Sequence, residues 1–162
     1  MQSVIRSKNT LSLCSLFDCR ILRLQYQGPH LLVELSGMDV LRSHPNNPAG
    51  RAQHTGKARI LFENCLLSDV RLDYRLTPDG RIDGSDLDSL DPDAFGAFAD
   101  CALGGYAFEQ GGETPGKAGY ALDLTIYGPC RAKAFDTLVC TLRYSDCLLE
   151  WEGWSGDAHL AL

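Results

Sequence analysis

Four histidines and seven cysteines are the first candidates for nucleophilic chemistry in this 162-residue chain. A reactive thiolate needs a nearby histidine or a helix N-terminus to lower its pKa. No cysteine follows a Gly-rich elbow, and a Cys–His pair can always be drawn from so many residues. The sequence therefore predicts no catalytic residue. The histidines are His30, His44, His54 and His159, and the cysteines are Cys14, Cys19, Cys65, Cys101, Cys130, Cys140 and Cys147.

Metal ligation is the second chemistry that these residue types allow. Asp39, His44 and His54 are close in sequence, but their spacing matches no zinc site, and loop histidines are usually solvated. The aspartates that follow position 79 do not supply the ligand order of an EF-hand loop. The Gly-rich stretch 104–119 lacks the Lys-Ser/Thr pair of a phosphate-binding loop. The sequence predicts no metal and no cofactor.

The surface is the predicted working part of the protein. Six aspartates between positions 79 and 93, here called the acidic segment, face a single Arg81. We expect this segment to be exposed, because water or cations must screen its charges. Trp151 and Trp154 are three residues apart: either Trp154 is exposed at an interface while Trp151 is in the core, or both are in the core. The predicted partner-binding residues are Asp79, Asp83, Asp86, Asp88, Asp91, Asp93 and Trp154.

Charge is unevenly distributed along the chain. The net charge is −6, with ten Lys/Arg against six Asp/Glu in residues 1–75 and five against fifteen in residues 76–162. General nucleic-acid binding depends on basic patches, so nucleic acid is not an expected partner. An acidic surface suits a basic protein partner, or it simply keeps the protein in solution.

Composition is typical of one ordinary globular domain. The chain is 44% hydrophobic and 22% charged, and no run approaches the roughly 18 apolar residues that cross a bilayer. The apolar stretch at 11–17 is short and interrupted for a signal peptide. An odd number of cysteines without CxxC spacing indicates reduced, buried thiols. We expect a single cytoplasmic domain over residues 1–162, with no membrane partner.

Alternation of apolar and polar residues predicts β-strands over much of the chain. The clearest case is 17–35, where two alternating runs flank a Gly-Pro-His loop. This pattern predicts a hairpin with Leu22, Leu24 and Tyr26 on its dry face. Further strands are predicted at 58–63, 70–75 and 119–127, and the chain at 64–69 either reverses or bends and continues.

Two segments break the strand pattern. Residues 37–56 contain three glycines and two prolines and are predicted to form a long exposed loop. Asp91 as a cap before Pro92 predicts a short helix near 91–103. The predicted fold is mainly β, an antiparallel β-sandwich or a strongly curved sheet with this one helix; an α+β fold is the alternative.

A weak internal repeat is also present. Phe62–Leu67 (FENCLL) aligns with Tyr144–Leu149 (YSDCLL) at an offset of 82 residues, and 17–22 is a looser third copy. Each copy has an aromatic residue, a residue able to turn the backbone, a cysteine and an apolar run. The repeat is either a duplication or a set of similar β-turns that arose independently.

Three segments together resemble a loose class of small bacterial β-rich proteins. The class includes proteins of unknown function and some immunity proteins of polymorphic toxin systems. A histidine is common in the class where this chain has Phe17. The resemblance covers about half the chain and implies a non-enzymatic cytoplasmic protein that binds a partner. The matching residues are Leu16, Phe17 and Asp18, then Phe62, Asn64 and Asp69, then Glu150, Trp151 and Trp154.

The resulting prediction is a non-enzymatic protein-binding module, with an immunity-type inhibitor of a basic toxin domain as its specific form. The protein is expected to be a monomer or a homodimer. Two other classes stay open. A small hydrolase or metal-binding enzyme would need a pair among Asp18, Asp39, His30, His44 and His54 to converge. A structural or oligomerisation subunit would need an apolar patch or a strand edge buried between copies.

Overall fold

The computed structural model of the protein describes residues 3–17, 19–75, 88–89, 106–116, 119–127 and 135–158. The fold is mainly β, as predicted, and all strand pairings in these residues are antiparallel. Their helical structure consists of one 3-10 turn at Leu11–Leu13. The helix predicted near 91–103 lies outside the described residues.

The described residues form fourteen strands in two sheets. In chain order they are β1 (Val4–Lys8), β2 (Cys14–Ser15), β3 (Cys19–Gln27), β4 (His30–Leu35), β5 (Asp39–Val40), β6 (Gln53–Thr55), β7 (Ala58–Glu63), β8 (Leu66–Arg75), β9 (Asp88–Ser89), β10 (Tyr106–Gly116), β11 (Gly119–Tyr127), β12 (Phe135–Tyr144), β13 (Asp146–Glu152) and β14 (Trp154–Asp157).

The strand order of the larger sheet has an internal twofold pattern. The order is β1-β13-β7-β4-β3-β10-β11-β12-β8-β9. If β1, β3, β4, β7 and β8 form the first half and β9 to β13 the second, the order reads the same from either end. The last strand of each half pairs with a strand of the other half: β8 pairs with β12, and β13 pairs with β7. The repeated segments lie at equivalent junctions, β7–β8 and β12–β13, which favours the duplication over independent turns.

The chain at 64–65 bends and continues rather than reversing. Asp146 lies opposite Glu63, and Arg143 lies opposite Leu66, so the register is kept across two intervening residues on each side. Asn64 adopts a φ of 50°, a left-handed conformation that asparagine tolerates better than most residues. Because β7–β8 and β12–β13 are two bent strands paired along their lengths, they curve the larger sheet around a single core.

Aromatic and aliphatic residues from both halves fill that core. Phe62 of β7 and Tyr144 of β12 have ring centroids 4.7 Å apart at 62°, an edge-to-face contact. The alternation at 58–63 faces the core as predicted, with Ala58, Ile60 and Phe62 buried. Leu122, Leu124 and Ile126 of β11 are buried in the same cluster.

The first hairpin forms as predicted, with one correction. Strands β3 and β4 pair across a turn at 28–29, and Leu24 is buried on the dry face. Leu22, predicted to lie on that face, is 42% exposed. The register shifts between Ile21 and Arg23, so a bulge places Ile21 in the core instead.

Residues 37–56 are not the long exposed loop that the sequence predicts. They contribute β5 and β6 to the smaller sheet, whose order is β14-β6-β5-β2. Met38 and Val40 are fully buried. The side-chain amide of Asn47 donates to the backbone carbonyls of Val40, Leu41 and Arg51 at 3.1, 3.1 and 2.9 Å. Polar side chains thus satisfy this backbone, so the segment packs with few apolar residues.

The described cysteines are buried thiols, as predicted. They are Cys14, Cys19, Cys65, Cys140 and Cys147. Burial raises the pKa of Cys65 to about 12, and burial is also the main reason that the pKa of Cys140 is about 12. These two thiols therefore stay protonated at neutral pH and act as small core hydrophobes. Cys101 and Cys130 lie outside the described residues.

We expect all seven cysteines to be titratable in the denatured protein without added reductant. A thiol-specific reagent in guanidinium chloride should count seven, and the native protein at neutral pH should react more slowly because Cys65 and Cys140 are buried and protonated. A denatured count lower by two or more would reveal a disulfide and contradict the prediction.

Candidate functional site

Most of the predicted partner-binding aspartates lie outside the described residues. These are Asp79, Asp83, Asp86, Asp91 and Asp93. Asp88 lies on β9, opposite Leu72 of β8, at one edge of the larger sheet. The role of the acidic segment in binding stays a prediction, and the structure adds that the segment includes a strand at a sheet edge.

Trp154 lies at the margin of the core rather than fully in solvent. Trp151 is 1% exposed, while Trp154 is half-buried and packs against the core cluster. Their ring centroids are 5.8 Å apart at 61°. Gly153 between them has a φ of +51°, a left-handed turn that redirects the chain, so the two rings meet instead of pointing to opposite faces. Trp154 keeps part of its surface accessible to a partner.

His44 is a buried structural residue, not a solvated loop histidine. It is 2% exposed. Its Nδ1 accepts the backbone N–H of Asn46 at 3.0 Å, so the ring proton is on Nε2, which lies 2.9 Å from the hydroxyl of Thr10. The ring packs edge-on against Trp151, with centroids 5.5 Å apart. Burial lowers the pKa of His44 from its ordinary value of 6.5, so the imidazole is neutral at pH 7.

Asp39 and His54 are the pair of candidate enzyme residues that the structure brings together. They are neighbours on β5 and β6, and His54 Nδ1 lies 2.7 Å from Asp39 Oδ1. A carboxylate that orients an imidazole is one part of an acid–base site. However, Asp39 is 1% exposed, and the hydroxyl of Ser155 beside the pair donates to the backbone carbonyls of Thr55 and His54. The contact joins two strands of the smaller sheet.

Neither His30 nor His44 joins this pair. His30 is exposed, and its Nδ1 accepts the backbone N–H of Asn64 at 3.4 Å. His44 is bound to Thr10 and Asn46, and Asp18 lies outside the described residues. Within the part of the chain that the structure describes, no group of three or more His, Cys, Asp or Glu could hold a metal ion.

Charges of alternating sign form a row on the outer face of the larger sheet, across the five neighbouring strands β1, β13, β7, β4 and β3. Arg59 lies 2.7 Å from Glu34 and 3.6 Å from Glu150, and Arg6 lies 3.2 Å from Glu150. Glu34 is only 7% exposed, because cationic side chains cover it. The carboxylates of this row are therefore neutralised within the chain. The row consists of Arg23, Glu34, Arg59, Glu150 and Arg6.

Beside this charged row lies a row of half-buried leucines, here called the leucine face, and two of them, Leu61 and Leu148, line a groove of about 480 Å³. Leu32, Leu61 and Leu148 are register partners on β4, β7 and β13. Strand β1 lies along β13 and places Lys8 opposite Leu148. Lys8 is 3.6 Å from Asp146, so this cation also has a carboxylate within the chain.

A second surface, here called the Leu66 groove, lies where the start of β8 meets β11 and the end of β12. It encloses about 480 Å³ and is lined by Leu66, Pro115, Tyr120, Ala121, Arg143 and Tyr144, among others. Leu66 is 67% exposed. Tyr120 stacks on Tyr144, with ring centroids 5.9 Å apart at 25°. The groove therefore combines an exposed aliphatic side chain, an aromatic floor and one guanidinium.

Glycine shapes the floor of the Leu66 groove. Gly119 has a φ of +142°, and a Cβ at this position would collide with the carbonyl oxygen of Tyr144. A residue with a side chain would therefore be strained here and would push β11 away from the end of β12. The close approach is what lets Tyr120 stack on Tyr144.

The sequence contains one indication of this groove, a pair of consecutive leucines, but the strand pattern alone does not show which of the two is exposed. Leu66 and Leu67 are consecutive, and in a strand one of two consecutive residues must face outward. Leu67 is buried and Leu66 is exposed. Arg143 lies opposite Leu66 but 77 positions away in the chain, so only the pairing of β8 with β12 brings them together.

Comparisons of the chain with family models, curated proteins and solved structures gave no match. The described geometry defines a class of protein: an antiparallel β protein with two equivalent halves and two surface grooves of about 480 Å³ each, one lined by Leu61 and Leu148 and the other by Leu66. In the part of the chain that the structure describes, no helix has the length and apolar character to cross a membrane.

Proposed function

We propose that the protein is a non-enzymatic, cytoplasmic protein-binding domain, and that it acts as an immunity-type inhibitor of a basic toxin domain. The observation that carries the protein-binding part is the Leu66 groove. Isolated exposed leucines are normal on protein surfaces. Here the 67% exposed leucine borders an aromatic floor and a cation, a composition that suits a protein interface.

The acidic segment supports a basic partner. Its charges would raise the rate of encounter with a positively charged protein, and the effect would weaken with salt, because charges are screened over about 8 Å at physiological ionic strength. The cytoplasmic part of the proposal is supported by the five buried thiols, which suit a reducing compartment.

Removing charge from the acidic segment should slow association with the partner. The probe is the protein encoded by the neighbouring gene, and the measurement is stopped-flow association at low and high salt. Neutralising four aspartates should lower the association rate at low salt about tenfold, with little effect at high salt and none on folding. The four changes are Asp83→Asn, Asp86→Asn, Asp88→Asn and Asp91→Asn.

A matched control removes four negative charges elsewhere on the surface. If only net charge matters, the control will slow association as much as the acidic-segment variant does. If the segment is the contact, the control will bind nearly as fast as the wild type. An unchanged rate for the acidic-segment variant would contradict its proposed role. The control changes are Glu63→Gln, Asp123→Asn, Glu152→Gln and Asp157→Asn.

A further inference from the structure

The internal repeat makes the leucine face and the Leu66 groove equivalent surfaces. At the offset of 82 residues, Leu148 corresponds to Leu66, and Leu61 corresponds to Arg143. Each pair is also a register pair, Leu61 with Leu148 and Leu66 with Arg143. The surroundings of these two equivalent residue pairs can therefore be compared within one molecule.

The charges of the leucine face are neutralised by the chain itself, although this face also forms a groove of about 480 Å³. Leu148 is half-buried beside β1, which supplies Lys8 and Arg6 along its length. Both cations have a carboxylate of the chain within reach, Lys8 with Asp146 at 3.6 Å and Arg6 with Glu150 at 3.2 Å.

In the part of the chain that the structure describes, Leu66 has no neighbouring strand like β1, and Arg143 has no carboxylate partner. Leu66 is 67% exposed. Strand β9 pairs with β8 only at Arg71 and Leu72, so among the described residues no strand lies along that side of β8 at Leu66. Arg143 is exposed, and within the described part of the chain no carboxylate or hydrogen-bond partner contacts its side chain. A bound partner would therefore have to bring an apolar group for the leucine and an anion for the guanidinium.

We propose that the Leu66 groove binds an extended segment of the partner protein that carries a carboxylate next to an apolar side chain. This inference rests on the proposed protein-binding function and names the chemistry of the bound segment. The apolar side chain covers Leu66 and the ring of Tyr120. The carboxylate binds the guanidinium of Arg143, a group that matches carboxylate geometry with two parallel hydrogen bonds.

The spacing of the groove residues sets the pattern of the bound segment. Cross-strand neighbours such as Leu66 and Arg143 have Cβ atoms about 5 Å apart. In an extended chain, side chains on the same face are two residues, or about 7 Å, apart. Two positions is the shortest spacing that puts both side chains on the face toward the groove, and flexible side chains can span the remaining difference of about 2 Å. The bound segment should therefore carry its apolar residue and its Asp or Glu two positions apart, in either order.

Short random peptides displayed on phage, selected on the wild-type protein, provide the probe. Selected sequences should be enriched in an apolar residue two positions from Asp or Glu. Synthetic versions should bind Arg143→Gln about tenfold more weakly by fluorescence anisotropy, as expected for loss of a charge-assisted hydrogen bond. Changing the peptide Asp or Glu to its amide should weaken binding to the wild type similarly, with little further loss in Arg143→Gln.

Control variants separate this inference from the proposed function. Leu66→Asp should abolish peptide binding, whereas Leu22→Asp and Arg20→Gln, changes at exposed positions elsewhere, should not. If Leu66→Asp abolishes binding and Arg143→Gln has no effect, the proposed carboxylate of the bound segment is contradicted, and the protein-binding function stands. A selection that yields no peptides, or peptides that bind Leu66→Asp as well as the wild type, contradicts binding at the Leu66 groove and the proposed function that depends on it.

Discussion

Phe62→Ala is expected to lower the free energy of unfolding by about 3–5 kcal/mol. Phe62 is 1% exposed, and its ring contacts Tyr144 of the other half at 4.7 Å between centroids. Removing the ring leaves a cavity where the two bent strands meet, and a paired sheet can relax into such a cavity only partly. Urea denaturation followed by tryptophan fluorescence measures the change.

The same experiment tests whether the chain folds as one unit. Because Phe62 touches residues of both halves, we expect fluorescence and far-UV circular dichroism to report one coincident transition, shifted equally in the variant. The control is Leu66→Ala, at a 67% exposed position, which should change stability by less than about 0.5 kcal/mol. Separate transitions for the two probes would contradict a single domain.

Acidification is expected to destabilise the protein through His44. Burial lowers the pKa of His44 in the folded state below 6.5, so the unfolded chain binds a proton at this residue more readily than the folded one. The stabilisation is therefore fully present above about pH 6.5 and is lost as the pH falls toward the folded pKa. One proton contributes a slope of at most about 1.4 kcal/mol per pH unit.

Substitution separates His44 from the carboxylates that also titrate in acid. The measurement is the free energy of unfolding between neutral and mildly acidic pH. His44→Gln removes the titrating ring and should flatten the pH dependence, although it lowers stability at pH 7 by disturbing the bonds to Thr10 and Asn46. His30→Gln, at an exposed histidine, should keep the wild-type slope. Parallel slopes for His44→Gln and the wild type would contradict the assignment.

The strands could be predicted because alternation is a local property. Ala58, Ile60 and Phe62 face the core, as their spacing requires, and Leu122, Leu124 and Ile126 do the same. Where the prediction is wrong, a contact between residues far apart in the sequence determines the structure. His44 and Thr10 are 34 residues apart, and no local pattern indicates that they bond. At Leu22 a one-residue shift of register places the side chain on the exposed face of the hairpin instead of the predicted buried face.

The candidate site was less predictable than the fold. The sequence drew attention to the acidic segment, which lies mostly outside the described residues and stays a prediction as a binding site. Leu66 and Arg143 are unremarkable in their own segments and become a site only through the pairing of β8 with β12. Whether one of two consecutive leucines faces solvent depends on the sheet that receives the strand, and that information is not local.

Exchange of the last strands has a consequence for synthesis on the ribosome. Strand β13 lies between β1 and β7, although it is made more than 80 residues after β7. Among the described strands β1 pairs with β13 alone, so β1 lacks this partner, and β7 keeps one edge unpaired, until residues 146–152 have emerged. Unpaired strands promote association between nascent chains. We therefore expect chains that end before residue 146 to aggregate more readily than the full chain.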